Sequence, residues 1–366
     1  MTTSDKSSAT QWNFWMRKCL QLASLGEGTT SPNPLVGSVV LDANNNLVGE
    51  GFHLKAGEPH AEIVALSQAG FKAKGGTLVV TLEPCCHHGR TPPCTEALLK
   101  FGIKKVVIGL QDPDSRVAGR GISYLKEAGI QVISNVLENE VAHQNREFLF
   151  RIKTGRPWGI LKCAMSIDGR VSLKNGESKW ISGKASREFV HALRAKCDAV
   201  IVGAGTVRRD NPLLTSRGLS VSEPLRVVLT NSLDLPVGSK IFDTSVAETL
   251  IAYGPNVSSK SLEELPKGPQ LVQLKSSEPI ELLKLLAAKG CNKVLWECGP
   301  TLATSALKQN CVQELKIVLA PKILGGIPAM TPLDDLGYIS MDEVLSMNNF
   351  SFKKLGNDLH LSMFTP

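Results

Sequence analysis

Apolar residues at Phe14, Met16, Cys19, Leu20 and Ala23 recur at the spacing of one helix face, and the run stops near Gly26 and Gly28. Two short apolar runs, 35–41 and 47–52, flank Asn44-Asn45-Asn46 and predict an antiparallel hairpin. After it the period switches back and forth. A helix over about 61–69 precedes a strand at 77–82, a helix over about 95–101 precedes a strand at 105–110, and a helix over about 121–128 precedes a strand at 131–134. Strands alternating with helices imply a mostly parallel sheet covered by helices. A polar helical stretch, 138–151, then runs into Lys153-Thr154-Gly155-Arg156-Pro157, where Gly and Pro break the pattern before the apolar strand 158–164.

That break divides the chain into expected domains of 12–152 and 153–366. The second half alternates again, with strands near 199–202, 225–230, 249–253, 271–274, 293–297 and 315–319 and helices near 185–195, 279–289 and 301–309. No internal repeat relates the halves. The 366 residues suffice for two hydrophobic cores, and 42% hydrophobic with 20% charged residues excludes a disordered or fibrous chain. Lys and Arg number 41 against 34 Asp and Glu, a net charge of +7 with no basic run longer than a pair, so anions are mildly attracted without a polybasic tail. Nine cysteines, an odd number, argue against a disulfide framework, and no apolar stretch is long enough to span a bilayer. A cytoplasmic protein is expected.

Candidate chemistry gathers first around His60-Ala61-Glu62 at a helix start, Pro84-Cys85 after a strand, and Cys94 at the next helix start. One His and two Cys make a three-ligand zinc set, which leaves the fourth tetrahedral position for water, as catalytic rather than structural sites do. Helix N-termini favour thiolate ligands. Glu62, in the first turn beside the metal, suits the movement of a proton from water to a leaving amine. Zinc deaminases carry H-x-E with P-C-x-x-C; here eight residues separate the cysteines. Two plainer readings stand beside this one: a solvated helix start with ordinary core cysteines, and a structural zinc with Cys86 or His87 as fourth ligand. In the second half, Gly203-Ala204-Gly205-Thr206 after a strand reads as a close-approach loop. It is not a dinucleotide fingerprint, because Arg208 stands where the third glycine belongs. Glu297-Cys298-Gly299-Pro300-Thr301 reads either as an anion site of backbone N–H groups at a helix start or as a simple strand-to-helix turn.

Longer segments carry a resemblance. Residues 31–37 (SPNPLVG), 81–85 (TLEPC), 87–94 (HHGRTPPC), 111–113 (QDP), 166–170 (SIDGR), 176–182 (GESKWIS) and 297–303 (ECGPTLA) together resemble the bifunctional riboflavin-biosynthesis deaminase–reductases over nearly the whole chain. The resemblance implies an α/β protein: an N-terminal cytidine-deaminase-like α/β/α domain, then a C-terminal dihydrofolate-reductase-like α/β domain. It implies hydrolytic, zinc-dependent deamination of 2,5-diamino-6-ribosylamino-4(3H)-pyrimidinone 5′-phosphate, then NADPH-dependent reduction of the ribosyl chain, giving 5-amino-6-ribitylamino-uracil 5′-phosphate.

By the same resemblance His60, Cys85 and Cys94 hold one zinc ion, Glu62 shuttles the proton, and Asn33 orients the base, although an Asn between two prolines is equally a turn residue. His87, His88 and Arg90 are candidate contacts to the anionic end of the substrate, or simply loop residues. NADPH positions match at Ala164, Trp180, Thr206, Asp210, Ser232, Gly299, Pro300, Thr301, Leu302, Ala303, Thr304 and Ser305. Substrate positions match at Ser178, Arg194, Leu214, Arg217 and Glu297; Arg194 and Arg217 suit a phosphate by charge and fork geometry, or are simply surface arginines of a helix or loop. Lys162 is the cation expected near the ribose chain, with Asp210 as its partner. The implied partner is a small pyrimidine ribose phosphate, with neither nucleic acid nor membrane, in a homo-oligomer. The rivals are a deaminase with an inactive reductase-like half, and a nucleic-acid deaminase, which 5% aromatic residues and dispersed charge support poorly.

Overall fold

A computed structural model of the chain describes residues 3–88, 92–114 and 118–366, with side chains from Thr10 onward. The chain divides into two compact units, residues 1–154 and 155–366.

In the first unit, α1 (Thr3–Ser24) leads to β1 (Gly37–Leu41) and β2 (Leu47–Phe52), followed by α2 (Ala61–Ala69), β3 (Thr77–Leu82), α3 (Cys94–Lys100), β4 (Lys105–Leu110), α4 (Arg120–Glu127) and β5 (Gln131–Ile133). The sheet order is β2-β1-β3-β4-β5. β1 is antiparallel to both β2 and β3, whereas β3, β4 and β5 run parallel. Every residue of β1 and β3 is buried, as expected of strands covered on both faces. Gly51 of β2 admits α2 at close range: a Cβ there would lie 2.7 Å from the carbonyl oxygen of Ala61, at the start of that helix.

The stretch 138–151, read from the sequence as one helix, is two: α5 (Glu138–Gln144) and α6 (Arg146–Thr154). The break falls at Asn145, which is buried. Its side chain accepts from Leu35 N at 2.8 Å and donates to Leu35 O at 3.0 Å, so one amide satisfies both backbone groups of a residue 110 positions away. Local polarity carried no sign of that tertiary bond.

The second unit runs β6 (Trp158–Ser166), α7 (Lys184–Arg194), β7 (Ala199–Gly203), α8 (Ala204–Asp210), β8 (Leu225–Thr230), β9 (Thr249–Tyr253), α9 (Ser259–Glu263), β10 (Gln270–Gln273), α10 (Pro279–Ala288), β11 (Lys293–Trp296), α11 (Pro300–Lys308), β12 (Glu314–Ala320), β13 (Asn348–Leu355) and β14 (Asp358–Phe364). Its sheet has nine strands in the order β10-β9-β8-β7-β11-β6-β12-β14-β13. The seven strands from β10 to β12 are parallel; β14 and β13 add an antiparallel hairpin that the sequence reading did not anticipate. Seven of the eight β13 residues are exposed, so no buried face marks it in the sequence. Gly203 to Thr206, expected as a loop, is instead the cap and first turn of α8, whose last buried anchor is Val207. Buried Leu, Val and Ile side chains of β7, β8, β9 and β11 form the two cores of this unit, with Trp296 completely buried among them.

Candidate functional site

In the first unit α2 and α3 bring their N-termini to the end of β3. His60 caps α2, Cys94 opens α3, and Cys85 follows the strand. The ligand atoms of the three lie within 4.8 Å of one another, and neither Cys86 nor His87 joins them among the described residues. His60 Nδ1 is 3.2 Å from Cys94 Sγ and 3.6 Å from Cys85 Sγ. Tetrahedral bonds of about 2.0 Å to nitrogen and 2.3 Å to sulfur place N and S about 3.5 Å apart, so the observed separations fit zinc without rearrangement. The first amide of α3, Cys94 N, donates to Cys85 Sγ at 3.3 Å. Hydrogen bonds from Cys94, outweighing burial, and a further bond to His60 hold the Cys85 thiol down at about 4. His60 rises to about 9, chiefly through its bond to Cys85. A bound cation takes the place of those shared protons.

Glu62 stands in the first turn of α2 with 4% exposure, and burial raises its pKa against the opposing pull of His60. A buried carboxyl with an elevated pKa is suited to accept a proton and return it. Asn33 Nδ2 is 2.9 Å from His53 Nε2, while His53 Nδ1 is 3.2 Å from the Pro59 carbonyl. A carbonyl only accepts, so Nδ1 carries the proton and Nε2 accepts from the Asn33 amide. Burial lowers the pKa of His53 and keeps it neutral. Its ring lies edge-on to His60, with centroids 5.5 Å apart. His53 was not singled out from the sequence, where a lone His after a strand carries no signal.

Glu83 was missed as well. Buried beside the Pro84-Cys85 turn, it accepts from the backbone N–H groups of Asp112, Gly119 and Ile122 at 3.2, 3.0 and 3.0 Å. This ties the segment leading into α4 to the ligand turn, and Gly121 makes room for it: a Cβ there would sit 2.3 Å from Pro84 O. His87 is half-buried, with no partner for Nδ1 among the described residues, and His88 lies 3.8 Å from Glu96. Arg90 lies outside the described residues.

In the second unit a cavity of about 680 Å³ opens where β6, β7 and β11 end. Of the matched positions, Lys162, Ala164, Ser178, Trp180, Arg194, Thr206, Asp210, Leu214, Arg217, Glu297, Gly299 and Pro300 line it. Ser232 and the run from Thr301 to Ser305 do not. Ser232 is exposed on the turn after β8, and Ala303 and Thr304 face inward, Ala303 in the core and Thr304 Oγ1 accepting from Asp334 N at 2.8 Å. The helical period explains this, since only the first turn of α11 reaches the cavity.

The parallel register pairs Lys293 with Trp158 and Trp296 with Leu161. Glu297 and Cys298 follow directly on the last of these pairs, and the charge of Lys162 reaches the Glu297 carboxylate. Glu297 is also gripped by Arg194, whose Nε and Nη2 donate to its two oxygens at 2.6 and 3.0 Å, while Nη1 donates to Thr215 O at 3.0 Å. Burial pushes the Glu297 carboxyl upward, but the charge and bonds of Arg194, helped by Lys162, outweigh it and hold the group below its ordinary value. Arg194 therefore spends most of its fork on Glu297 and Thr215, at the wall of the cavity. The loop it holds has Leu214 and Arg217 in the left-handed region, at φ 59° and 61°, a costly conformation for side chains of that size. Glu223 also accepts from Ser216 N and Gly218 N of this loop. Arg217 itself is exposed at the cavity. Lys162 and Asp210 do not form the expected ion pair; the charge of Lys162 acts on Glu297, and the Asp210 carbonyl accepts from Lys179 Nζ at 3.2 Å.

Comparison with known proteins matches residues 9–110 to the cytidine and deoxycytidylate deaminase zinc-binding region and residues 157–361 to the RibD C-terminal domain. The riboflavin biosynthesis protein RibD of Synechocystis sp. is 46% identical over 344 residues, covering 94% of this chain and 93% of that protein. Its counterpart in Escherichia coli is 37% identical, covering 91% and 96%. Among solved structures, Acinetobacter baumannii RibD superposes with a TM-score of 0.89 at 36% identity, covering 98% of this chain and all of that one. A Thermotoga maritima diaminohydroxyphosphoribosylaminopyrimidine deaminase/5-amino-6-(5-phosphoribosylamino)uracil reductase gives 0.85 at 33% identity, covering 98% and 100%.

Proposed function

The chain belongs to the RibD family, the bifunctional deaminase–reductases of riboflavin biosynthesis, and on that premise we propose how its residues divide the work. The N-terminal half deaminates 2,5-diamino-6-ribosylamino-4(3H)-pyrimidinone 5′-phosphate, and the C-terminal half reduces the ribosyl chain to give 5-amino-6-ribitylamino-uracil 5′-phosphate. The observation that carries the reading is the three-ligand trio with Glu62 buried beside it.

His60, Cys85 and Cys94 would hold zinc, which when bound supplies a Lewis acid that makes water acidic near neutral pH. Glu62 takes the proton at a carboxylate oxygen and delivers it to the departing 2-amino nitrogen. Asn33, its amide fixed by His53, faces the pyrimidine edge. In the other half NADPH would occupy the cavity between Ala164, Trp180, Thr206, Asp210 and the start of α11, and it supplies the hydride. The α11 N-terminus, at Gly299 and Pro300, offers backbone N–H groups to a phosphate. Ser178, Leu214, Arg217, Lys162 and Glu297 face the substrate. Arg217, exposed and unspent, is the phosphate ligand; Arg194 holds Glu297 and the loop that carries Arg217.

We also read the protein as a cytoplasmic homo-oligomer. No helix among the described residues is long and apolar enough to cross a membrane, and none of the nine cysteines is in a disulfide. β13 ends its sheet with an open edge and exposes Phe350 and Phe352 at 61% and 69%. Two exposed phenyl rings on an open sheet edge fit pairing with a second copy.

The test supplies the diaminopyrimidinone substrate with and without NADPH and identifies products by mass. Without NADPH the amino group alone is exchanged for oxygen; with it, one pair of hydrogens is added as well. Deamination without reduction would leave the second half inactive.

A further inference from the structure

Trp180 is 64% exposed, unusual for a residue of its size on the wall of a cavity. Its surroundings hold it nevertheless. The Arg187 guanidinium lies over the ring, 4.5 Å from the centroid, and Arg187 Nη1 donates to Ser182 O at 2.8 Å. Lys322 Nζ donates to Trp180 O at 2.6 Å, and the preceding Lys179 is bonded to the Asp210 carbonyl. Arg187 is itself placed by the first turn of α7, whose cap is remote. Buried Asp358 on β14 accepts from Gly183 N at 2.7 Å and from the Ser186 hydroxyl at 2.6 Å. The line therefore runs from a buried carboxylate, through a helix start and a guanidinium, to one face of an indole. The ring is otherwise largely exposed, on the wall of the cavity.

We propose that Arg187 is a positioning residue that braces Trp180 as a stacking platform for a flat heteroaromatic ring of NADPH. The proposal rests on the reading of the C-terminal half as NADPH-dependent. An exposed Trp samples several rotamers, and freezing one on binding costs affinity. A cation–π contact formed beforehand removes that cost. Both rings of the cofactor, adenine and nicotinamide, have the flat face required, and the experiment separates them.

NADPH is titrated into the full-length protein by tryptophan quenching, with calorimetry as a second readout, in Arg187→Ala, Arg187→Met, Arg187→Lys, Trp180→Ala and Arg187→Ala/Trp180→Ala variants. Adenosine 2′,5′-bisphosphate and reduced nicotinamide mononucleotide are titrated in parallel. The weakened half identifies the stacked ring. Arg187→Ala and Arg187→Met are expected to weaken NADPH binding by about fivefold to tenfold. Arg187→Lys, which keeps the cation, recovers part of the loss, and kcat at saturating NADPH and deaminase turnover stay unchanged. In the Trp180→Ala background the Arg187 change adds nothing, because its effect passes through the indole. Unchanged affinity in Arg187→Ala, a Lys variant no better than Met, or additive losses in the double variant would each overturn the proposal, the last by showing that Arg187 touches the cofactor itself. Failure of the unaltered protein to bind NADPH would overturn the cofactor reading and this proposal together.

Discussion

Replacing Arg194 by Met takes the main cation away from a carboxylate whose side chain is only 10% exposed. The pair is bidentate and both members are largely desolvated, so it falls outside the range of exposed ion pairs, which contribute about 0–1 kcal/mol. Leaving one partner of a buried pair uncompensated costs about 3–5 kcal/mol. In the unaltered protein Glu297 titrates below its ordinary value of 4.5. It therefore contributes stability that is present above that value and lost as pH falls through its folded-state value. In the variant the order of effects reverses. Burial, the largest influence on Glu297, meets only the weaker charges of Lys162 and His191, so the carboxyl moves upward and protonation relieves the strain. The deficit of Arg194→Met should be largest in mildly alkaline buffer and shrink as the solution is acidified. Urea unfolding of the full chain, followed by hydrogen exchange at the β11 and α7 amides, measures the deficit in the second unit. Arg194→Met/Glu297→Gln should be more stable than Arg194→Met alone. A deficit under about 1 kcal/mol, or one indifferent to pH, would refute the argument and return Arg194 to the role of a surface ligand.

Other outcomes follow from the same geometry. Glu62→Gln should retain zinc by metal analysis yet lose deamination by about 10²–10⁴-fold, since the amide cannot carry the proton; turnover near the unaltered rate would remove Glu62 from the reaction. Lys162→Ala should slow NADPH oxidation while deamination, assayed by ammonia release, proceeds normally; a joint loss would contradict separate sites. His360 is buried with Nε2 unpartnered, and burial, aided by Lys316 and Lys353, lowers it from 6.5 to about 4. The unfolded chain takes its proton first on acidification, so thermal stability of the second unit should fall between pH 6.5 and about 4, and His360→Gln should flatten that slope.

The sequence made the strand–helix alternation and the metal trio legible because both are written locally. Strand 77–82 is rich in Leu and Val with only two threonines, and the ligands sit at element boundaries that Pro84, Pro93 and the helix period mark. What it hid depends on contacts across long separations. Asn145 breaks a helix to serve Leu35, Asp358 caps α7 from 175 positions away, and His53 meets Asn33 only once the hairpin has formed. Arg194 shows the limit of reading a side chain by charge alone: its fork geometry was visible, but not the carboxylate that occupies it. The β13–β14 hairpin escaped notice for the opposite reason, since a strand exposed on both faces has no pattern to reveal it.

The parallel register of β6 and β11 also bears on how this enzyme can be altered. The backbone ladder pairs Trp296 with Leu161, the residues just before Glu297 and Lys162, and so brings the two reductase charges to the same end of the sheet. Adding or deleting a single residue in either strand would slide that alignment by one step, exchange inward for outward positions, and bring a thiol to where a charge stood. The turn between Arg217 and Glu223 carries no such ladder. Chain length should therefore be far less forgiving within these two strands than in the loops around the cavity, even where every residue named as lining it is left untouched.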